Sequence, residues 1–250
     1  MKYVRVLQDG MAVWGVLKGS QIHTLLQPPF ESLAFDGMQI PLEKAVLLAP
    51  CQPTKIVCVG KNYYDHAMEL GTQVPEHPIL FLKGPNTLNH PDQTVTAPDF
   101  VQRLDYEGEL AFVIRRRAKN VRPEEAGDYI LGYTCFNDVT ARDVQSADVQ
   151  WTRAKAMDGF APVGPIVTDE VDPSNLKIET RLNGAVKQSS NTSVMMHSVP
   201  QLLAYITASM TLEPGDVVAT GTPAGIGPMV SGDVVEVEIE QIGILRTMVE

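Results

Sequence analysis

Asp105-Tyr106-Glu107-Gly108-Glu109-Leu110-Ala111-Phe112-Val113-Ile114 is the segment on which the architecture turns. Read as a β-strand, its period of two sets Glu107 and Glu109 on one face, about 7 Å apart, together with Ala111 and Val113. Leu110, Phe112 and Ile114 fall on the other face. A strand apolar on both faces belongs inside a sheet that is covered on both sides. Two carboxylates buried at that separation repel by roughly 2–3 kcal/mol at an effective dielectric of about 20, before desolvation is counted. A divalent cation between them removes that cost. The competing reading is a strand end at the surface with both glutamates solvated, the commoner fate of a bare Glu-x-Glu.

A third carboxylate shifts the balance. Cys135-Phe136-Asn137-Asp138 ends another apolar run, so Asp138 sits where a strand leaves a core. Three carboxylates form an all-oxygen donor set that suits Mg²⁺ or Mn²⁺. His23, His66, His77, His90 and His197 include no pair at metal-binding spacing, which argues against zinc.

His66 and Glu69 stand three apart and face the same way on a helix. A carboxylate that holds one imidazole nitrogen leaves the other to take a proton from water. That helix, expected over Asn62–Gly71 with Asn62 as its cap and Gly71 as its stop, is barely two turns long and needs tertiary support. Lys155 lies among small and apolar residues, where it either pairs with Asp158 or a distant acid, or stabilises a developing oxyanion. Gly221-Thr222-Pro223-Ala224-Gly225-Ile226-Gly227-Pro228 is neither a Walker loop nor a dinucleotide fingerprint. It reads as a tight loop that brings backbone N–H groups and the Thr222 hydroxyl towards a ligand carboxylate, or as a purely structural turn.

Outward from these motifs the chain is rich in strand signals. Tyr3–Leu7, Ala12–Leu17 and Gln21–Leu25 form a meander with an Asp9-Gly10 hairpin turn. Pro28–Pro50, with its prolines, reads as a connection holding a short helix or turn, and a soft boundary falls near Pro50. Further strands are expected at Lys55–Val59, Ile79–Leu82, Leu131–Phe136, Pro165–Val167 and Ile178–Leu182, the last running into an Asn183-Gly184 turn. Val235, Val237 and Ile239 alternate with glutamates in a final half-exposed strand. One amphipathic helix spans about Ser198–Met210. The class is mainly β with a few short helices, and no βαβ alternation supports a doubly wound or barrel fold.

With 44% hydrophobic and 20% charged residues, disorder and coiled coil are excluded. Twenty Lys+Arg against 30 Asp+Glu give a net charge of −10, which disfavours nucleic acid as a partner. Arg115-Arg116-Arg117 is the one cationic run, expected to end a strand in solvent. No apolar run reaches the roughly 20 residues of a membrane span, and Met1–Arg5 lacks the core of a signal peptide. Cys51, Cys58 and Cys135 make no disulfide framework, so a cytoplasmic protein with reduced thiols is expected, acting on something small.

The segments Gly60–Glu69, Phe81–Lys83, Asp105–Leu110, Asn137–Gln145, Trp151–Lys155, Ala161–Pro165 and Thr220–Gly225 together resemble the fumarylacetoacetate hydrolase family, in the same order over residues 55–250. That resemblance implies a mixed β-roll at 51–250, usually a homodimer, behind a small N-terminal β-domain at 1–50. It implies Glu107, Glu109 and Asp138 as Mg²⁺ or Mn²⁺ ligands, and His66 with Glu69 as a water-activating dyad on a lid. Lys155 matches the family's catalytic lysine, and Arg142, Gln145 and Thr222 fall where substrate is held. Met157 and Lys61 depart from the Phe, and from the Leu or Arg, common at those positions, and are expected to alter the pocket. The implied substrate is a small 2-oxo acid. Hydrolytic C–C cleavage of an acylpyruvate is the leading expectation, with oxaloacetate decarboxylation and enol–keto isomerisation of 2-hydroxydienoate-type acids as alternatives. A non-catalytic metal-binding β-protein is a distant fourth.

Overall fold

A computed structural model describes residues 1–30, 32–71 and 73–250. The N-terminal strands are β1 (Lys2–Gln8), β2 (Met11–Lys18), β3 (Gln21–Leu25), β4 (Phe35–Pro41) and β5 (Val46–Leu48). They are followed by β6 (Ile56–Gly60), helix α1 (Tyr64–Glu69), β7 (Ile79–Lys83), β8 (Leu88–Asn89) and β9 (Thr94–Val95). The middle of the chain forms β10 (Leu104–Tyr106), β11 (Gly108–Ile114), β12 (Ile130–Asn137), β13 (Thr140–Ala141), α2 (Arg142–Ala147) and α3 (Thr152–Lys155). Then come β14 (Ala161–Thr168), β15 (Lys177–Leu182), β16 (Ala185–Asn191), α4 (Val199–Ser209), β17 (Val217–Ala219), β18 (Gly227–Met229), β19 (Val234–Ile239) and β20 (Gly243–Val249).

These strands form three sheets. Twelve build one, in the order β4-β3-β2-β1-β14-β12-β11-β17-β6-β7, with β5 on β1 and β8 on β14. The others are β13-β10-β18 and β16-β15-β19-β20-β9. The mainly β class follows, and the N-terminal strands enter the large sheet through the β1–β14 pairing. The Asp9-Gly10 and Asn183-Gly184 hairpins both have positive φ at their two central residues, the geometry whose twist matches that of the paired strands.

β11 is buried along its whole length. Leu110, Phe112 and Ile114 enter one core cluster, while Ala111 and Val113 enter the cluster on the opposite face. The segment differs from the single strand expected: it breaks at Glu107, with β10 in the small sheet and β11 in the large one. Gly108 makes the joint. A Cβ there would stand 2.1 Å from Thr180 Oγ1 on β15, so only glycine lets the sheets approach this closely. The backbone freed at the break is satisfied by side chains, Glu107 N donating to Asn137 Oδ1 at 3.0 Å and Gly108 N to Gln188 Oε1 at 3.0 Å.

Three local expectations are corrected. Residues 28–50 hold two strands besides the short 3₁₀ turn at Leu42–Lys44. β4 is an edge strand with one buried residue, Ile40, so it has almost no hydrophobic period to read. β20 follows β19 and pairs with it along its full length; inward-facing Thr247 interrupts its apolar alternation. Finally, α1 begins after Tyr63 with no side-chain cap, because Asn62 is engaged elsewhere.

Candidate active site

β11 and β12 run antiparallel with Gly108 opposite Asn137, and this register fixes the acidic group. Glu109 projects from β11, Glu107 sits at the joint before it, and Asp138 follows the end of β12, its N–H bonded to Glu107 O at 2.8 Å. All three are buried, and one oxygen from each lies within 4.8 Å of the others. Like charges this close in a dry site require compensation. Part of it comes from Lys155 at the end of α3, whose Nζ donates to Glu107 Oε2 at 2.8 Å and Asp138 Oδ2 at 2.7 Å. Asp158 is not its partner; that carboxylate accepts from Asn86 Nδ2 at 2.7 Å.

Lys83, at the end of β7, is fully buried and was not singled out by sequence. Its ammonium donates to Val139 O and Phe160 O and stands 2.6 Å from Asp138 Oδ1. That last contact is too poorly angled for a hydrogen bond, so Oδ1 faces a charge while accepting nothing. Arg142 on α2 donates to Asp105 Oδ2 at 2.8 Å, to Glu107 Oε1 and to Gln145 Oε1.

These charges separate the carboxylates chemically. Burial alone raises the Glu107 carboxyl, but Lys155, Arg142 and His66 outweigh it and hold it at about 2. Glu109 is pushed well above the usual range by burial, then by Asp138 and Glu107, against the Gly221 N–H and Lys155. For Lys155, burial disfavours the ammonium, yet Asp138 and Glu107 more than offset it, and its pKa rises. A buried all-oxygen triad with one under-coordinated carboxylate oxygen fits a hard divalent cation.

His66 on α1 places Nδ1 3.0 Å from Glu69 Oε2, and Glu69 Oε1 accepts from Gly225 N at 3.0 Å. Nε2 has no hydrogen-bond partner among the described residues. Asn62, fully buried, anchors the base of this helix: its amide donates to His197 O at 3.0 Å and Thr220 O at 2.8 Å and accepts from His197 N at 2.8 Å.

The glycine-rich loop after β17 acts differently from expectation. Gly221 N donates to Glu109 Oε2 at 2.8 Å and Gly225 N to Glu69, so its amides hold the protein's own carboxylates. The Thr222 hydroxyl donates to Gly108 O at 2.9 Å and accepts from Gln188 Nε2 at 2.7 Å. His66, Glu107, Glu109, Asp138, Arg142, Gln145, Lys155 and Thr222 nonetheless line one cavity of about 50 Å³, with Glu69 behind His66. Phe81 and Trp151, edge to face at 5.4 Å, form its apolar wall. Lys61 also lines it, whereas Met157 does not and packs beside the cluster that includes Phe160.

The three cysteines are free and buried, and Arg115, Arg116 and Arg117 are exposed beyond β11. Among the described residues no helix is long and apolar enough to cross a membrane.

The chain is similar to known proteins along its length. Residues 55–250 match the model of the fumarylacetoacetate hydrolase C-terminal domain, and residues 1–50 match that of the Rv2993c-like N-terminal domain. It is 41% identical to oxaloacetate tautomerase YisK of Bacillus subtilis, over 84% of this chain and 76% of that one. It is 43% identical to mitochondrial oxaloacetate tautomerase fahd2 of Xenopus laevis, over 81% of this chain and 68% of that protein. Among solved structures, 2-hydroxyhepta-2,4-diene-1,7-dioate isomerase from Mycobacterium marinum superposes with a TM-score of 0.93 at 41% identity, covering 100% of this chain and 98% of that one. A family model that spans the strands, helices and loops carrying the acidic triad, the dyad and Lys155 leaves one assignment: the chain belongs to the fumarylacetoacetate hydrolase family.

Proposed function

We propose that this protein is a divalent-metal-dependent enzyme that catalyses enol–keto proton transfer in a small 2-oxo acid, with oxaloacetate as the reference substrate. The observation that carries the reading is the His66–Glu69 pair, pinned on one imidazole nitrogen and opening on the same cavity as the acidic triad and Lys155. Relatives named as oxaloacetate tautomerases and a dienedioate isomerase support it.

Glu107, Glu109 and Asp138 would hold Mg²⁺ or Mn²⁺, which supplies an anchor and a Lewis acid for the 2-oxo group. The chain's own groups do the rest. Glu69 fixes the imidazole orientation, so Nε2 accepts the proton from substrate C3 and delivers it to the enol oxygen, or the reverse. One C–H bond breaks and one O–H bond forms, with no net consumption of water. The Lys155 ammonium stabilises the negative charge that grows on oxygen between those transfers. Phe81 and Trp151 keep water from that wall of the site.

Hydrolytic cleavage of an acylpyruvate is the second reading, favoured by the same dyad because an imidazole that takes a proton from carbon also takes one from water. The test supplies Mn²⁺ and follows the enol absorbance of fresh oxaloacetate, with pyruvate, acetate and CO₂ measured from oxaloacetate and acetylpyruvate in parallel. Accelerated loss of enol without pyruvate or CO₂ is expected. Acetate plus pyruvate from acetylpyruvate establishes the hydrolase, and CO₂ release a decarboxylase. No acceleration of enol loss overturns the proposal.

A further inference from the structure

The basic groups lining the cavity are Lys61, His66, Arg142 and Lys155. Three of them are occupied: His66 by Glu69, Arg142 by Asp105, Glu107 and Gln145, and Lys155 by Glu107 and Asp138. Lys61 makes no hydrogen bond and no ion pair among the described residues. It is half-buried at the end of β6, and its backbone is left-handed, with φ of 60°. That conformation favours glycine or asparagine and strains a lysine, and such strain concentrates where a side chain is needed in one place. The neighbouring wall carries no charge. A Cβ on Gly60 would stand 2.9 Å from the Trp151 ring, so the indole lies flush against the strand end, and Phe81 completes that side. The Gln145 amide nitrogen, without a partner among the described residues, is a neutral donor, which does not separate an anionic end from a neutral polar one.

We infer that Lys61 is the specificity-determining residue of this site, a free cation that receives the distal carboxylate of a dicarboxylic 2-oxo acid. This rests on the reading of the site given above and adds a substrate class to it. A dianion entering a protein of net charge −10 needs a positive partner at each end. A cation held by the triad would serve the 2-oxo carboxylate end, and among the described residues that line the cavity Lys61 is the basic side chain left for the other. Monocarboxylic acids of equal length lack the group that Lys61 would hold.

The test is binding to the Mn²⁺-loaded protein, by calorimetry, of malate and of 2-hydroxybutanoate. These are non-oxo isosteres of the same chain length, with and without the distal carboxylate. Wild type is expected to bind malate roughly 10- to 100-fold more tightly, the range for one charge-assisted hydrogen bond. Lys61→Met should remove most of that preference, with the loss falling on malate, and Lys61→Arg should restore at least part of it. An unchanged malate-to-hydroxybutanoate ratio in Lys61→Met, or no preference in wild type, overturns the inference. The same holds if Lys61→Arg remains as indiscriminate as Lys61→Met while both variants unfold at the wild-type temperature. Because binding is read without turnover, a protein that fails to ketonise oxaloacetate but shows the Lys61-dependent ratio refutes the reaction and not the recognition.

Discussion

On the floor of the cavity and directly behind it, Glu107, Glu109, Asp138, Lys155 and the Lys83 that backs Asp138 are each no more than 4% exposed, and each touches at least one opposite charge or backbone partner. In α1, one element above, Tyr64 and Met68 are more than half exposed, and the helix has six residues and no side-chain cap. Its His66–Glu69 pair is held by a single imidazole–carboxylate contact, one amide from Gly225 and the Asn62 anchor at its base. A helix this short is unstable alone, so it persists through those few contacts. The floor is a network in which removing one member strands a buried charge. His66 on the helix is buried as well, but its partner Glu69 is 31% exposed, so removing the imidazole strands no fully buried charge. Charge placement is thus tightly coupled to stability below the cavity and more weakly coupled above it, where His66 still acts on Glu107.

Two substitutions make this division breakable. His66→Ala is expected to lower turnover of the 2-oxo acid by about 10²- to 10⁴-fold while costing only about 1–2 kcal/mol of unfolding free energy, the loss of one buried side chain. Steady-state rates and urea unfolding on the same sample read both, and a large loss of stability would place α1 inside the cooperative floor. Lys83→Met is expected to cost about 3–5 kcal/mol, because Asp138 loses a buried counter-charge and two carbonyls lose their donor. A cost near zero would mean that Lys155 alone balances Asp138.

A third substitution probes the loop that joins the two regions. Gly225 has φ of 101°, and a Cβ there would stand 2.1 Å from Lys187 O, a backbone atom that cannot swing aside. Gly225→Ala is expected to cost about 1–3 kcal/mol and to slow turnover as well, since Gly225 N holds Glu69. A variant that lost stability and kept full activity would detach the loop from the dyad.

What was legible in the sequence follows the same division. β11 and the triad were readable because apolar residues on both faces of a strand force the question of what its carboxylates do. The hairpins at Asp9-Gly10 and Asn183-Gly184 were readable because few residues take positive φ at two successive positions. The break at Glu107 was not, since it depends on Gly108 meeting Thr180, about 70 residues away in the chain. Lys83 stayed hidden because Ile79–Leu82 reads as a strand and the lysine just beyond it is free to reach water. Only the fold brings Val139 and Phe160 around that ammonium. Asn62 sits where a helix cap belongs, and its diversion to His197 and Thr220 is a tertiary choice that local spacing cannot display. The resemblance named nine residues, eight of which line one cavity, while the engagement of Thr222 and of the loop amides came from the structure alone.

The smallest effect tests the floor's electrostatics most directly. Burial, followed by Asp138 and Glu107, holds the Glu109 carboxyl well above its ordinary value of 4.5. Since the folded value lies above the unfolded one, Glu109 contributes stability that is fully present below about pH 4.5 and is lost as pH rises through the folded value. A divalent cation needs the carboxylate, so its uptake must expel that proton. Calorimetric titration with Mn²⁺ near pH 6, in two buffers of different ionisation heat, should show up to about one proton released per ion. The stabilisation conferred by Mn²⁺ should also grow with pH through the same window. Glu109→Gln carries no such proton: its uptake, if measurable, should release none, and the metal-free variant should be at least as stable as wild type at neutral pH. Absence of proton release from wild type would mean that Glu109 is already ionised, its repulsion absorbed by Lys155 and the Gly221 amide. The floor would then be electrostatically balanced before any cation arrives, and metal affinity would owe nothing to relief of strain among its carboxylates.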